Sequence, residues 1–264
     1  MSKYIEIETK DHIAWLTLNR PDKGNAISPD FFEEIRESFE NLSKDTAARV
    51  VVIKANGKHF TTGLDLIEAT NIFGKAMQDR DTFRDAIIAL QESMNAIERC
   101  KKPVIAAVHG MCIGAGIDML SACDIRIAEK KTIFSIRETK MAIVADLGTL
   151  QRLPHIIGHG WFNELVYTGR DFTAAHAEKI GFITHICDNM TKLTAKATEI
   201  ATEIAENSPL TVQNVKEVIR YSRDNGVYPG MDFVSQKNAA LMPSDDLQEA
   251  MTAFMERRKP VFGK

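Results

Sequence analysis

The stretch Lys102–Ala128, KPVIAAVHGMCIGAGIDMLSACDIRIA, holds the plan of the fold. Pro103–Val108 (PVIAAV) is an unbroken apolar run of the length of a buried strand. Gly110, Gly114 and Gly116 then cluster directly before the apolar segment Ile117–Ala122, which reads as a helix. Asp124–Ala128 (DIRIA) reads as the next strand. Strand, glycine loop, helix and strand in this order are the unit of an α/β protein.

The same grammar extends to both sides. Upstream, Arg49–Lys54 (RVVVIK) is another buried strand, followed by a loop through Gly57 and Gly63 and by an amphipathic helix over residues 82–100. Tyr4–Thr9 and His12–Leu18 alternate in polarity around Lys10-Asp11 and read as a hairpin. Ser28 caps a helix with Pro29 at its first position, and Phe32, Ile35, Phe39 and Leu42 give that helix one apolar face. After about residue 188 strand signals stop, and helical stretches follow near 189–207, 209–223, 230–241 and 244–257. The expected organisation is a core over residues 1–190, carrying the candidate site, and a helical region over 191–264. Strand–helix units recur at roughly 50-residue intervals without a strict repeat.

Composition narrows the function. The chain has 264 residues, 44% apolar and 26% charged, enough to bury a core without disulfides or metals. A net charge of −3 gives no reason to expect nucleic acid or an anionic membrane as partner. Cys100, Cys112, Cys123 and Cys187 lack CxxC spacing and any accompanying histidine pattern, so they read as buried reduced thiols. No stretch has the roughly 20 apolar residues of a membrane span. The opening MSKYIEIETK lacks the features of a targeting peptide, and the closing Phe262-Gly263-Lys264 is not a peroxisomal address. The expected compartment is the cytoplasm, of a bacterium.

Three features carry chemistry. In HFTTGLD, residues 59–65, a glycine between strand and helix lets backbone N–H groups approach an anion or oxyanion, although an ordinary turn needs the same glycine. In HGMCIGAGID, residues 109–118, three glycines precede a helix N-terminus. The spacing is not that of a phosphate loop, since no lysine or serine follows to hold phosphate and metal. The third feature is a set of acids, Asp118, Glu138 and Asp146. Each has an ordinary alternative: Asp118 in a first helical turn, Glu138 paired with Arg137 or Lys140, and Asp146 capping the following helix. Asp146 lies in the apolar MAIVADLG, where an acid is less easily explained. The histidines are scattered, no GxSxG occurs, and Arg257-Arg258-Lys259 suits a solvated helix end.

Taken together, NRPDKGNAIS (19–28), KHFTTGLDL (58–66), residues 102–128, LQRLPHIIG (150–158) and DLQEAMTAFMERRKPVF (246–262) resemble the enoyl-CoA hydratase/isomerase, or crotonase, family. The resemblance spans essentially the whole chain. It implies a spiral of repeated ββα units with C-terminal helices that assemble homotrimers or homohexamers. It implies an acyl-CoA substrate whose thioester oxygen is held by the backbone N–H groups of Leu64 and Ala115. Glycine often stands where Ala115 is; alanine keeps the N–H. The substrate would run past Lys23, Ala26, Thr61, Thr62, Gly63, Asp65 and Gly114.

Within the family, hydratases carry glutamate where Asp118 stands and usually glycine where Asp146 stands. GIDMLSACDIR, FSIRETKMAIVADLGTLQRLP and VIRYSRD resemble the Δ3,5-Δ2,4-dienoyl-CoA isomerases, in which three acids match Asp118, Glu138 and Asp146. The resemblance therefore implies a double-bond isomerase working by proton transfer, with no metal and no cofactor beyond the CoA of its substrate. The alternatives are an enoyl-CoA or dienoyl-CoA hydratase, and a non-catalytic or RNA-binding homologue. The segment 66–80 is expected to shape the acyl pocket.

Overall fold

The computed structural model describes residues 3–263, without the side chains of residues 71–73 and 75. Strands β1 (Ile5–Lys10) and β2 (Ile13–Leu18) form the expected antiparallel hairpin. Its turn is Asp11-His12, both at positive φ, one residue beyond the dipeptide the polarity pattern marks. Helix α1 (Pro29–Lys44) starts at Ser28, whose hydroxyl accepts from the Phe31 N–H. Strand β3 (Val50–Ala55) precedes α2 (Leu66–Ala76) and α3 (Arg80–Arg99). Then come β4 (Val104–Val108), β5 (Met111–Ile113), α4 (Ala115–Ala122), β6 (Ile125–Glu129) and β7 (Ile133–Ser135). Short helices α5 (Thr149–Arg152) and α6 (Pro154–Ile157) lead to α7 (His159–Thr168), β8 (Asp171–Thr173), α8 (Ala174–Lys179) and β9 (His185–Cys187). The chain finishes with α9 (Met190–Ala205), α10 (Pro209–Asn225), α11 (Val227–Leu241) and α12 (Asp245–Glu256).

The strands make two sheets, one in the order β1-β2-β3-β4-β6-β9 and a smaller one, β5-β7-β8. From β2 to β9 the large sheet is parallel. Alternate residues of its central strands enter different cores. Val51, Ile53, Val104 and Ala106 face α1, α3 and α4, whereas Val50, Val52, Ile105 and Ala107 pack with Leu193, Ala197 and Ala201 of α9. Burial on both faces is why these strands read as continuous apolar runs.

This packing corrects the expected division at residue 190. Helix α9 covers the second face of the sheet and belongs to the core, so the change in character comes at α10. Among the described residues, α10 buries no side chain, and α11 and α12 bury only Gly230 and Ala253. The four cysteines are free and buried. No helix of the described residues is long and apolar enough to cross a membrane.

Candidate active site

The two glycine loops lie side by side. Thr61 bridges to Cys112: its N–H donates to Met111 O at 3.1 Å, and its carbonyl accepts from Ile113 N–H at 3.3 Å. Ile27 flanks the other side of the first loop, donating to Gly63 O and accepting from Asp65 N–H. Those bonds use the neighbours of Leu64 and leave its own N–H turned away. Ala115 opens α4, where the N–H groups have no intrahelical acceptor. Among the described residues, neither the Leu64 N–H nor the Ala115 N–H has a protein partner.

The two loops approach closely at Gly63, whose φ is +88°. A Cβ there would lie 2.7 Å from Ile113 O and 3.7 Å from Ala115 N, so only glycine fits. Ala115 N therefore lies against Gly63, the residue next to Leu64 in the chain.

Three acids adjoin these loops. The Glu138 carboxylate lies against Gly114, where an added Cβ would stand 3.4 Å from Oε1. Among the described residues Glu138 has no basic partner: Arg137 turns to Asp171 and Ser135, and Glu138 Oε2 is buried without a hydrogen bond. Asp118, one turn into α4, is 1% exposed and accepts the Thr149 N–H at 2.8 Å. Asp146 does not cap α5: the residue before that helix is Gly148, and no side chain caps it. Asp146 is half-buried, and its carbonyl accepts from Gln91 Nε2 at 2.7 Å.

Desolvation dominates the electrostatics. Burial, with added repulsion from Asp118 and Asp146, lifts the Glu138 carboxyl to about 7. Burial lifts Asp118 to about 6, the Asp146 charge adding to the rise and the Thr149 hydrogen bond opposing it. Burial also raises Asp146 above the usual carboxylate range. Clustered buried acids lifted in this way, Glu138 and Asp118 above all, are poised to exchange protons near neutral pH.

Other expected contacts resolve into scaffold and rim. Thr61 is fully buried; its hydroxyl donates to Asn25 O and accepts from Gly63 N–H, so its side chain shapes the loop. Asp65 pairs with Arg20 at 2.9 Å and accepts the Glu68 N–H. Thr62 leans on Gly24, Ala26 gives its carbonyl to Arg20, and Lys23 is exposed at the rim. In segment 66–80 Leu66 and Ile67 are exposed, and the side chains of residues 71–73 and 75 lie outside the described ones.

Arg20 and Asn25 organise the first loop and were not singled out by the sequence. Buried Arg20 also reaches Glu68, and Asn25 donates to Asn56 O and His59 O. Only the Gly24-Asn25 turn, with both residues at positive φ, gives Asn25 a sequence signature.

The paired loops, the acids and the two-sheet spiral define a protein of the crotonase fold. The enoyl-CoA hydratase/isomerase family profile matches residues 8–264, and the chain belongs to this family. It is 40% identical to the peroxisomal Delta(3,5)-Delta(2,4)-dienoyl-CoA isomerase of Arabidopsis thaliana, over 98% of this chain and 96% of that one. It is 39% identical to the mitochondrial enzyme of the same name from Homo sapiens, over 94% of this chain and 77% of that one. Among solved structures, an enoyl-CoA hydratase from Bacillus anthracis superposes with a TM-score of 0.91 at 30% identity, covering 98% of this chain and 99% of that one.

Proposed function

We propose that the protein is a dienoyl-CoA isomerase that converts 3,5-dienoyl-CoA to 2,4-dienoyl-CoA. The observation that carries this reading is a further acid, Asp146, half-buried and lifted in pKa, within electrostatic reach of Glu138 and Asp118. The full-length relatives that bear the isomerase name support it.

The reaction removes a proton from C2 and adds one at C6. Glu138, ionised in part at neutral pH, takes the C2 proton. The C–H electron pair delocalises through the diene onto the thioester oxygen, which the Leu64 and Ala115 N–H groups would hold. Each such donor contributes on the order of 3 kcal/mol, because it meets a charge that exists only along the reaction. Asp146, protonated, delivers a proton to C6, and the double bonds settle at C2 and C4. Glu138 then carries one proton more and Asp146 one fewer, so they re-equilibrate through solvent or each other. Asp118 stays behind them, coupled to both through its charge. No metal or redox group enters these steps.

The apolar residues left exposed on the last helices, among them Ile219, Tyr228, Met251 and Phe254, support assembly through this region into trimers and hexamers. A monomer mass by light scattering at micromolar concentration would remove that part of the proposal. Four buried free thiols fit a reducing compartment, and we place the protein in the cytoplasm.

The test is incubation of the purified protein with 3,5-dienoyl-CoA, watched for the absorbance of the 2,4-dienoyl product, in heavy-oxygen water. An isomerase gives the conjugated product without label. Label in the product establishes the hydratase alternative instead, and no turnover leaves a non-catalytic member of the family.

A further inference from the structure

Helix α3 presents three polar side chains at four- and three-residue steps, Gln91, Asn95 and Glu98, and so on one face. All three meet the segment that carries Asp146. Gln91 Nε2 donates to Asp146 O at 2.7 Å. Asn95 Oδ1 and Glu98 Oε2 accept from Arg152 at 2.7 and 3.1 Å. Buried Arg152 lies against the α-carbon of Gly148, where a Cβ would collide with its guanidinium at 1.8 Å. The turn after Asp146 is therefore built around this polar face.

Glu138 is held by different parts of the fold. Its segment follows β7, the Thr139 hydroxyl donates to Val166 O in α7, and the Glu138 carbonyl accepts from Ile143 N–H. The two acids thus rest on separate supports, α3 for one and the small sheet with α7 for the other. Of the α3 side chains, Gln91 alone bonds the Asp146 residue itself, and nothing in the chemistry assigned above uses it.

We infer that Gln91 is a positioning residue for the second proton transfer: its amide fixes the backbone of Asp146 on α3 and so aims that carboxyl, leaving the Glu138 half of the reaction untouched. This rests on the isomerase reading. An apolar residue at 91 leaves the Asp146 carbonyl without its donor and lets the turn drift. A displacement of about 1 Å at a reacting group can lower a rate by up to about 100-fold. Gln91 is only half-buried and α3 accepts other straight side chains there, so the fold should survive the change.

The test compares wild type with Gln91→Met and Gln91→Leu in three readouts: kcat, KM for 3,5-dienoyl-CoA, and exchange of the C2 proton with deuterated water. The expected result is kcat lower by about 10- to 100-fold, with KM and the C2 exchange rate within about twofold of wild type. Unchanged kcat overturns the inference. So does a parallel fall of kcat and C2 exchange, because that is general damage to the site. Failure of the wild-type protein to turn over 3,5-dienoyl-CoA is a separate outcome, which removes the functional reading itself.

Discussion

Glu138 and Asp146 belong to one short stretch of chain, yet the fold treats them differently. Glu138 sits against Gly114, beside the unpartnered N–H groups, with one carboxylate oxygen buried and unbonded. Asp146 lies farther out, half-buried and tied through its backbone to α3. In the proposed reaction, an acid pressed onto the glycine loops suits the carbon next to the thioester. An acid on a separate support suits a carbon farther along the chain. A single-acid site has no need of the second arrangement, and this is the physical content of the isomerase assignment.

The comparison can be broken most strongly by removing each acid in turn. Proton-transfer groups typically contribute about 10²–10⁴-fold, so Glu138→Gln and Asp146→Asn should each lower kcat by about that factor, with KM little changed. Steady-state kinetics showing one variant at the wild-type rate would reduce that residue to a structural role.

The pH profile sharpens the contrast with a somewhat smaller effect. Glu138 must be ionised to accept a proton, and its carboxyl is lifted to about 7, so kcat/KM should fall as pH drops below about 7. Asp146 must be protonated to donate, so ionisation of its raised carboxyl also lowers the rate. An acid limb found only near the ordinary carboxylate value of about 4.5 would contradict the buried cluster.

The smallest effect concerns Asp118, which belongs to neither support. Its folded-state value of about 6 lies above the ordinary 3.8, so its contribution to stability is fully present below 3.8 and lost as pH rises through about 6. At about pH 8 the buried charge costs at most about 3 kcal/mol. Asp118→Asn keeps an acceptor for the Thr149 N–H and escapes that cost. Denaturant titrations should find it more stable than wild type by about 2 kcal/mol at about pH 8, the difference vanishing toward about pH 4.

Much of this was legible in the chain. RVVVIK and PVIAAV announce strands buried on both faces, and Ser28-Pro29 announces a helix start, because these signals are local. The strands β5, β7, β8 and β9 were not read: each has three residues, too few to show a period. The extent of the core was misjudged because α9 looks like any other helix until its alanines meet the sheet. The glycine loops and the acids could be picked out by residue type. Arg20 and Gln91 could not, since each acts by bonds to groups distant in sequence, the Asp65 and Glu68 carboxylates for one and the Asp146 carbonyl for the other, and such bonds leave no pattern in composition or spacing.

The central claim is that Asp146 is a proton donor acting separately from Glu138, and C2 deuterium exchange in Asp146→Asn tests it most directly. The account predicts that this variant incubated with 3,5-dienoyl-CoA in deuterated water retains part of the wild-type C2 exchange while forming little 2,4-dienoyl product, and that Glu138→Gln loses both. Isomerisation by Asp146→Asn at the wild-type rate, or loss of C2 exchange together with product, would contradict it.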